Sequence, residues 1–201
     1  MQVFGQARLT ASDLACRRGE RVLFRGLSLE VATGEALHIA GANGIGKTSL
    51  LRILAGLLRP FAGSVETEGA IGLLDERPGL DPELPLGKAL GFWERVDGCD
   101  DPSKAITAMG LEPLLDVPFR YLSTGQRKRA AMASLINRNA PIWLLDEPLS
   151  GLDARAIEQV TALIGQHVSS GGLAIVASHQ PLAVQDLRVL ELADFVPEHA
   201  L

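Results

Sequence analysis

Gly41-Ala42-Asn43-Gly44-Ile45-Gly46-Lys47-Thr48-Ser49 is the stretch on which the fold turns. The short apolar run Ala36 to Ala40 precedes it, and Leu50, Leu51, Leu54, Leu57 and Leu58 follow at helical spacing until Pro60. Strand, glycine-rich turn and helix in that order fit the pattern G-x-x-x-x-G-K-[ST]. Phosphates need several inward-pointing backbone N–H groups, and glycines let the chain curl closely enough to supply them. The helix that begins near Lys47 adds its positive N-terminal end. Lys47 is placed to reach the β- and γ-phosphates, and the Thr48 hydroxyl to coordinate Mg²⁺. Gly41 to Ser49 is therefore the candidate site for a nucleoside triphosphate.

Outward from this loop, Leu9–Leu14 and Arg21–Val31 read as strands of a β-rich opening, with Gly19, Gly26 and Gly34 at candidate turns. Downstream, prolines 78, 82, 85, 102, 113 and 118 punctuate short helical stretches such as Lys104–Met109. This texture predicts a small helical insertion at about 78–138 within a single domain spanning 1–201, closed by a helix over Arg127–Arg138 that follows a turn at Ser123–Gln126. Ile142–Leu145 reads as a buried strand, Ala154–Ser169 as a helix and Leu173–Ser178 as another strand. Strands alternating with helices predict an α/β fold with a parallel sheet covered on both faces.

Pro141-Ile142-Trp143-Leu144-Leu145-Asp146-Glu147-Pro148 is an apolar strand ending in two acids. A buried strand that stops at a cleft presents one carboxylate to a metal and another to water. Asp146 is the candidate to help hold Mg²⁺, and Glu147 to polarise the attacking water. Leu122-Ser123-Thr124-Gly125-Gln126 lies between this strand and the glycine loop. By itself it is a helix-capping turn. Ser123 and the N–H groups that open the next helix are also suited to a γ-phosphate.

In this order and at this spacing, the pentapeptide resembles the ABC signature motif, with Thr124 in place of its first glycine. Ser150-Gly151-Leu152-Asp153 resembles that family's D-loop, and His179 its switch histidine. The resemblance covers essentially the whole chain and implies a P-loop NTPase of the ABC ATPase type. The implied fold is a parallel core sheet with an antiparallel β subdomain and a small helical subdomain. It further implies ATP and Mg²⁺ as cofactors and catalysis by Glu147 and His179. Each nucleotide would be shared in a homodimer between one subunit's Lys47–Thr48 and the other's Ser123-Thr124-Gly125-Gln126. Two positions depart from the family. Where most members carry an aromatic residue that stacks on adenine, this chain has Arg17 and Arg18, either a stacking guanidinium or a solvated basic pair. Glu76 or Arg77 stands where the Q-loop glutamine is expected.

The length of 201 residues and net charge of -5 suit one domain and provide no global field for nucleic acid. Cys16 and Cys99 are far apart and expected to be reduced. No apolar run reaches the roughly 20 residues of a membrane-spanning helix, and the N-terminus lacks a secretory core, so membrane contact is expected through partners only. Compact length, the Pro78-Gly79 loop and His179-Gln180-Pro181-Leu182 resemble the ATP-binding subunits of haem export and cytochrome c maturation. That resemblance implies a peripheral subunit on the cytoplasmic face of a bacterial inner membrane. Its partners would be a transmembrane permease of the CcmB type, with a CcmC-type protein nearby. His199 reads as a tail residue. An ATPase for another cargo (lipid, metal or peptide) stays open. Soluble mechanical ATPases usually carry tandem ATPase domains or long coiled coils, and this chain shows one P-loop and no sustained heptads.

Overall fold

A computed structural model describes residues 4–75, 78–99 and 101–197. Strands β1 (Arg8–Arg18), β2 (Arg21–Ala32) and β4 (Ala62–Glu68) form an antiparallel sheet with β1 in the centre. Gly19 makes the β1–β2 turn as expected, with φ of 57°. Gly26 does not turn the chain. It lies inside β2 at φ 70°, where the register slips between Leu14↔Leu27 and Cys16↔Phe24, a β-bulge that bends the strand.

The second sheet is parallel, in the order β5-β6-β7-β3-β8, from β3 (Ala36–Ala40), β5 (Ile71–Leu74), β6 (Ile142–Asp146), β7 (Leu173–Ala177) and β8 (Arg188–Glu191). Because β7 lies between β6 and β3, the loops after these three strands open side by side at one edge of the sheet. Ligands of open α/β sheets bind at such an edge.

Both faces of this sheet are covered, which is why its central strands are apolar throughout. On one face Ile142, Leu144, Leu173 and Ile175 join Leu9, Phe24 and Val31 of the antiparallel sheet and helix α1 (Lys47–Leu54). On the other, Trp143, Leu145, Ala174 and Val176 meet the remaining helices. These are α2 (Leu86–Asp97), α3 (Ser103–Ala108), α4 (Thr124–Asn137) and α5 (Ala154–Ser169). Leu50, Leu51, Ile53 and Leu54 of α1 are each at most 2 % exposed. Such burial stabilises by about 1.5–3 kcal/mol per side chain, so α1 is fixed by packing and not by its length.

Several boundaries differ from the sequence expectation; strand β1 runs on to Arg18 where Leu14 was expected to end it, and three helical ends differ for identifiable reasons. Helix α1 stops at Leu54, because Gly56 takes φ 72° and the amides of Leu57 and Leu58 turn back to the Arg52 carbonyl. The segment 78–118 holds the twelve-residue α2, which Pro85 starts instead of breaking. Proline has no N–H to leave unsatisfied at a helix entrance. Helix α4 begins at Thr124, so Thr124, Gly125 and Gln126 form its first turn and do not precede it. Glu76, Arg77 and His199 lie outside the described residues.

Candidate functional site

Gly41, Gly44 and Gly46 take φ of 145°, 78° and 126°, conformations strained for any side chain, and the loop closes around them. A Cβ on Gly41 would come within 3.2 Å of the Ile45 side chain, and one on Gly46 within 3.4 Å of Leu23 and Phe24. No side chain caps α1, so its first N–H groups stay available to an anion. Lys47, only 6 % exposed, folds back over the loop. Its ammonium donates to the carbonyls of Gly41 at 2.7 Å and Ala42 at 3.3 Å, and lies 3.5 Å from Glu147 Oε1.

Strand β6 ends at Asp146, 2 % exposed, and Glu147 follows in the left-handed region at φ 46°. A non-glycine residue there is held by its surroundings. The Glu147 amide bonds to Ala177 O at 2.8 Å, which ties the turn to β7. Its carboxylate receives the His179 amide at 3.2 Å and the Ser178 hydroxyl at 3.4 Å, with His179 Nδ1 at 2.9 Å. Lysine, glutamate and histidine, each just beyond a different strand, thus meet at one point.

A cavity of about 1120 Å³ opens there. Of the predicted nucleotide residues, Asn43, Gly44, Gly46, Lys47, Thr48 and Ser49 line it, together with Thr124, Asp146, Glu147 and His179. Gly41, Ala42 and Ile45 do not line it. Ser123, Gly125 and Gln126 do not line it. Ser123 is exposed and caps α4: its Oγ accepts from the Gln126 amide at 3.3 Å, while its own amide donates to Gln126 Oε1 at 2.8 Å. This reciprocal capping box makes the tip of α4 rigid. Gly125 packs closely, since a Cβ there would lie 3.0 Å from the Gly151 carbonyl.

Among the described residues, six lysine and arginine side chains face three carboxylates in the cavity, so it attracts a polyanion although the whole chain is acidic. The sequence reading missed four of these cations: Arg21, Arg52, Arg127 and Lys128. Thr124, Arg127, Lys128 and Ala131 follow helical spacing, a signal that one face of α4 looks into the cleft. The structure also separates the two candidate base-stacking arginines. Arg17 lies 4.7 Å above the Phe61 ring, and Arg18 lines the cavity.

The donor set fits Mg²⁺. Thr48 and Asp146 bring hard oxygens to the same cleft, and no group of three or more His, Cys, Asp or Glu among the described residues could cage a metal alone. Mg²⁺ characteristically takes one or two protein ligands and draws the rest from water and substrate phosphates.

A family model described as ABC transporter matches residues 24–150, a span that contains the glycine loop, the α4 cap and strand β6. The chain belongs to the ABC transporter family. It is 58% identical over 94% of its length, and 97% of the relative's, to the cytochrome c biogenesis ATP-binding export protein CcmA of Novosphingobium aromaticivorans. Among solved structures, a putative ABC transporter ATP-binding protein from Pyrococcus furiosus superposes with a TM-score of 0.80 at 23% identity, covering 94% of this chain and all of that one. An ATP-binding cassette captured as a dimer in a post-hydrolysis state with ADP and phosphate superposes at 0.74 and 22% identity, covering 86% and 88%. These two likenesses show the ABC ATPase fold. Among the described residues of this family member, no helix is long and apolar enough to cross a membrane.

Proposed function

We propose that this chain is the ATP-hydrolysing subunit of a haem-export, cytochrome c maturation transporter. The observation that carries the proposal is the meeting of Lys47, Glu147 and His179 at adjacent strand ends, in a cationic cleft. The chain in which they meet is 58% identical to a cytochrome c biogenesis ATP-binding export protein. The chain acts as one nucleotide-binding domain, with a helical part inserted at about 78–138 between β5 and β6.

The triphosphate lies in the Gly41–Ser49 loop, held by backbone N–H groups and the end of α1. Two carbonyls already engage Lys47 and the Glu147 carboxylate lies 3.5 Å from its ammonium, so a phosphate oxygen takes the third N–H by displacing Glu147 from it. Thr48 and Asp146 would hold Mg²⁺, which would supply charge neutralisation of the phosphates. Glu147 orients and accepts a proton from the attacking water. The Ser178 hydroxyl and the His179 amide and imidazole hold its carboxylate in place. Arg18 offers its guanidinium plane to the base, where the family usually stacks an aromatic ring.

A second copy completes the site. The rigid α4 tip at Ser123 is exposed and does not line its own cleft. It is therefore available to the γ-phosphate on a partner's loop in a two-fold dimer. Attachment to the cytoplasmic face of the inner membrane comes through a permease of the CcmB type, with a CcmC-type protein nearby. The test is Glu147→Gln. This variant binds ATP but loses turnover by about a hundredfold or more, the usual scale for a general base. With ATP it elutes as a dimer in size-exclusion chromatography. Unimpaired hydrolysis, or an ATP-loaded monomer, refutes the scheme.

A further inference from the structure

Strand β3 carries one polar residue, His38, among Ala36, Leu37, Ile39 and Ala40. His38 is 7 % exposed, and its Nε2 lies 3.0 Å from the carbonyl of Ser178, 140 positions along the chain. Burying an imidazole costs free energy unless its polar atoms are satisfied, so the bond is what makes a histidine tolerable here. A carbonyl only accepts, so Nε2 carries the hydrogen.

The acceptor occupies a sensitive place. Strand β7 ends at Ala177, and Ser178 is fully buried directly beyond it. The Ser178 amide donates to Ile39 O at 3.3 Å. Its hydroxyl accepts from the Gln180 amide at 2.9 Å and donates to Glu147 Oε2 at 3.4 Å. Its carbonyl is held by His38. The next residue, His179, is 42 % exposed at its side chain, so packing alone does not aim it. The backbone aims it, and both its amide and its Nδ1 reach Glu147.

We infer that His38 is a positioning residue for ATP hydrolysis: it locks the Ser178 peptide and so sets the direction from which His179 holds the Glu147 carboxylate. The inference rests on the assignment of Glu147 and His179 made above. His38 does not line the cleft and acts through this one peptide. It also ties the strand that delivers the phosphate loop to the turn that carries the switch histidine, so both halves of the site share one anchor.

The experiment compares steady-state ATP hydrolysis by the transporter complex carrying wild-type chain, His38→Met, His38→Gln or Glu147→Gln. Methionine fills the space without a donor, and the glutamine amide restores an N–H. His38→Met lowers kcat about tenfold, on the scale of a misaligned catalytic group, with KM for ATP unchanged within about twofold. His38→Gln keeps at least about half the wild-type kcat. The inference is overturned if His38→Met turns over at the wild-type rate, if its loss lies in KM, or if glutamine does no better than methionine. Should His38→Met not fold, ¹⁵N spectra of the wild-type histidines decide: Nε2–H supports the inference, and a Nδ1–H tautomer refutes it. If Glu147→Gln hydrolyses ATP normally, the underlying assignment fails. If Glu147→Gln is inactive while His38→Met is normal, only the role of His38 fails.

Discussion

Acidification should unfold this protein through His167 in particular. The residue is 5 % exposed in the last turn of α5, stacked on Trp143 with ring centroids 3.9 Å apart. Its Nε2 lies 3.1 Å from the Pro141 carbonyl and 3.2 Å from that of Leu173. Burial pushes its pKa down from 6.5 to about 4, and the two carbonyls only partly oppose this. The unfolded chain therefore binds a proton more readily than the native one. Above pH 6.5 both states are neutral at this site and it contributes no pH dependence. As pH falls from 6.5 towards 4, protonation favours the unfolded chain, by about 2 kcal/mol at pH 5 and a limit of about 3 kcal/mol. The perturbation is His167→Gln, which keeps an N–H donor and removes the titration. Urea unfolding followed by tryptophan fluorescence from pH 7.5 to 4.5 yields the stability difference between the two proteins. The variant should start less stable, having lost the stack, and the gap should close by about 2 kcal/mol on reaching pH 5. Parallel decline of both proteins across this window refutes the reasoning, since His167 would then protonate as easily folded as unfolded.

Lys47→Ala removes a charge-assisted phosphate contact worth about 1.5–3 kcal/mol, so Kd for ATP should rise roughly ten- to a hundredfold in equilibrium titration. An unchanged Kd would place the triphosphate elsewhere. Gly72→Ala puts a Cβ 2.4 Å from Leu135 Cδ1 and 3.3 Å from Ala140 Cβ, where β5 meets α4. Overpacking of this kind costs about 1–3 kcal/mol, a fall in Tm of several degrees by calorimetry. A Tm within about a degree of wild type would mean that Leu135 swings away freely.

Much of this architecture was legible because its signals are local. Strand β3 and helix α5 have the expected ends, and β6 differs by a single residue, since unbroken apolar runs and a capped helical period mark them. Strands β4 and β8 carry no such mark. Nearly all their residues face solvent, and only pairing to a neighbour makes them strands. Helix α2 was hidden by Pro85, which reads as punctuation until Leu86, Ala89 and Leu90 are seen to be buried together. Of the site, Lys47, Asp146 and Glu147 could be named because each follows a recognisable strand, and His179 because it resembles the family's switch histidine. Arg21, Arg52 and the α4 cations could not, since they reach the cleft from elements distant in the chain. The bond from His38 to Ser178 was equally invisible, because nothing local in Ala36 to Ala40 points 140 residues ahead.

Strand β6 belongs to two fillings at once, its even-numbered apolar residues gripping one and its odd-numbered residues the other. Inserting a single amino acid ahead of Ile142 would therefore do more than lengthen a loop. It would trade the contents of the two interiors, driving the indole into the space shaped for leucine and turning both terminal acids away from the nucleotide. The strand is thus a ruler that tolerates substitution by size but no change of count.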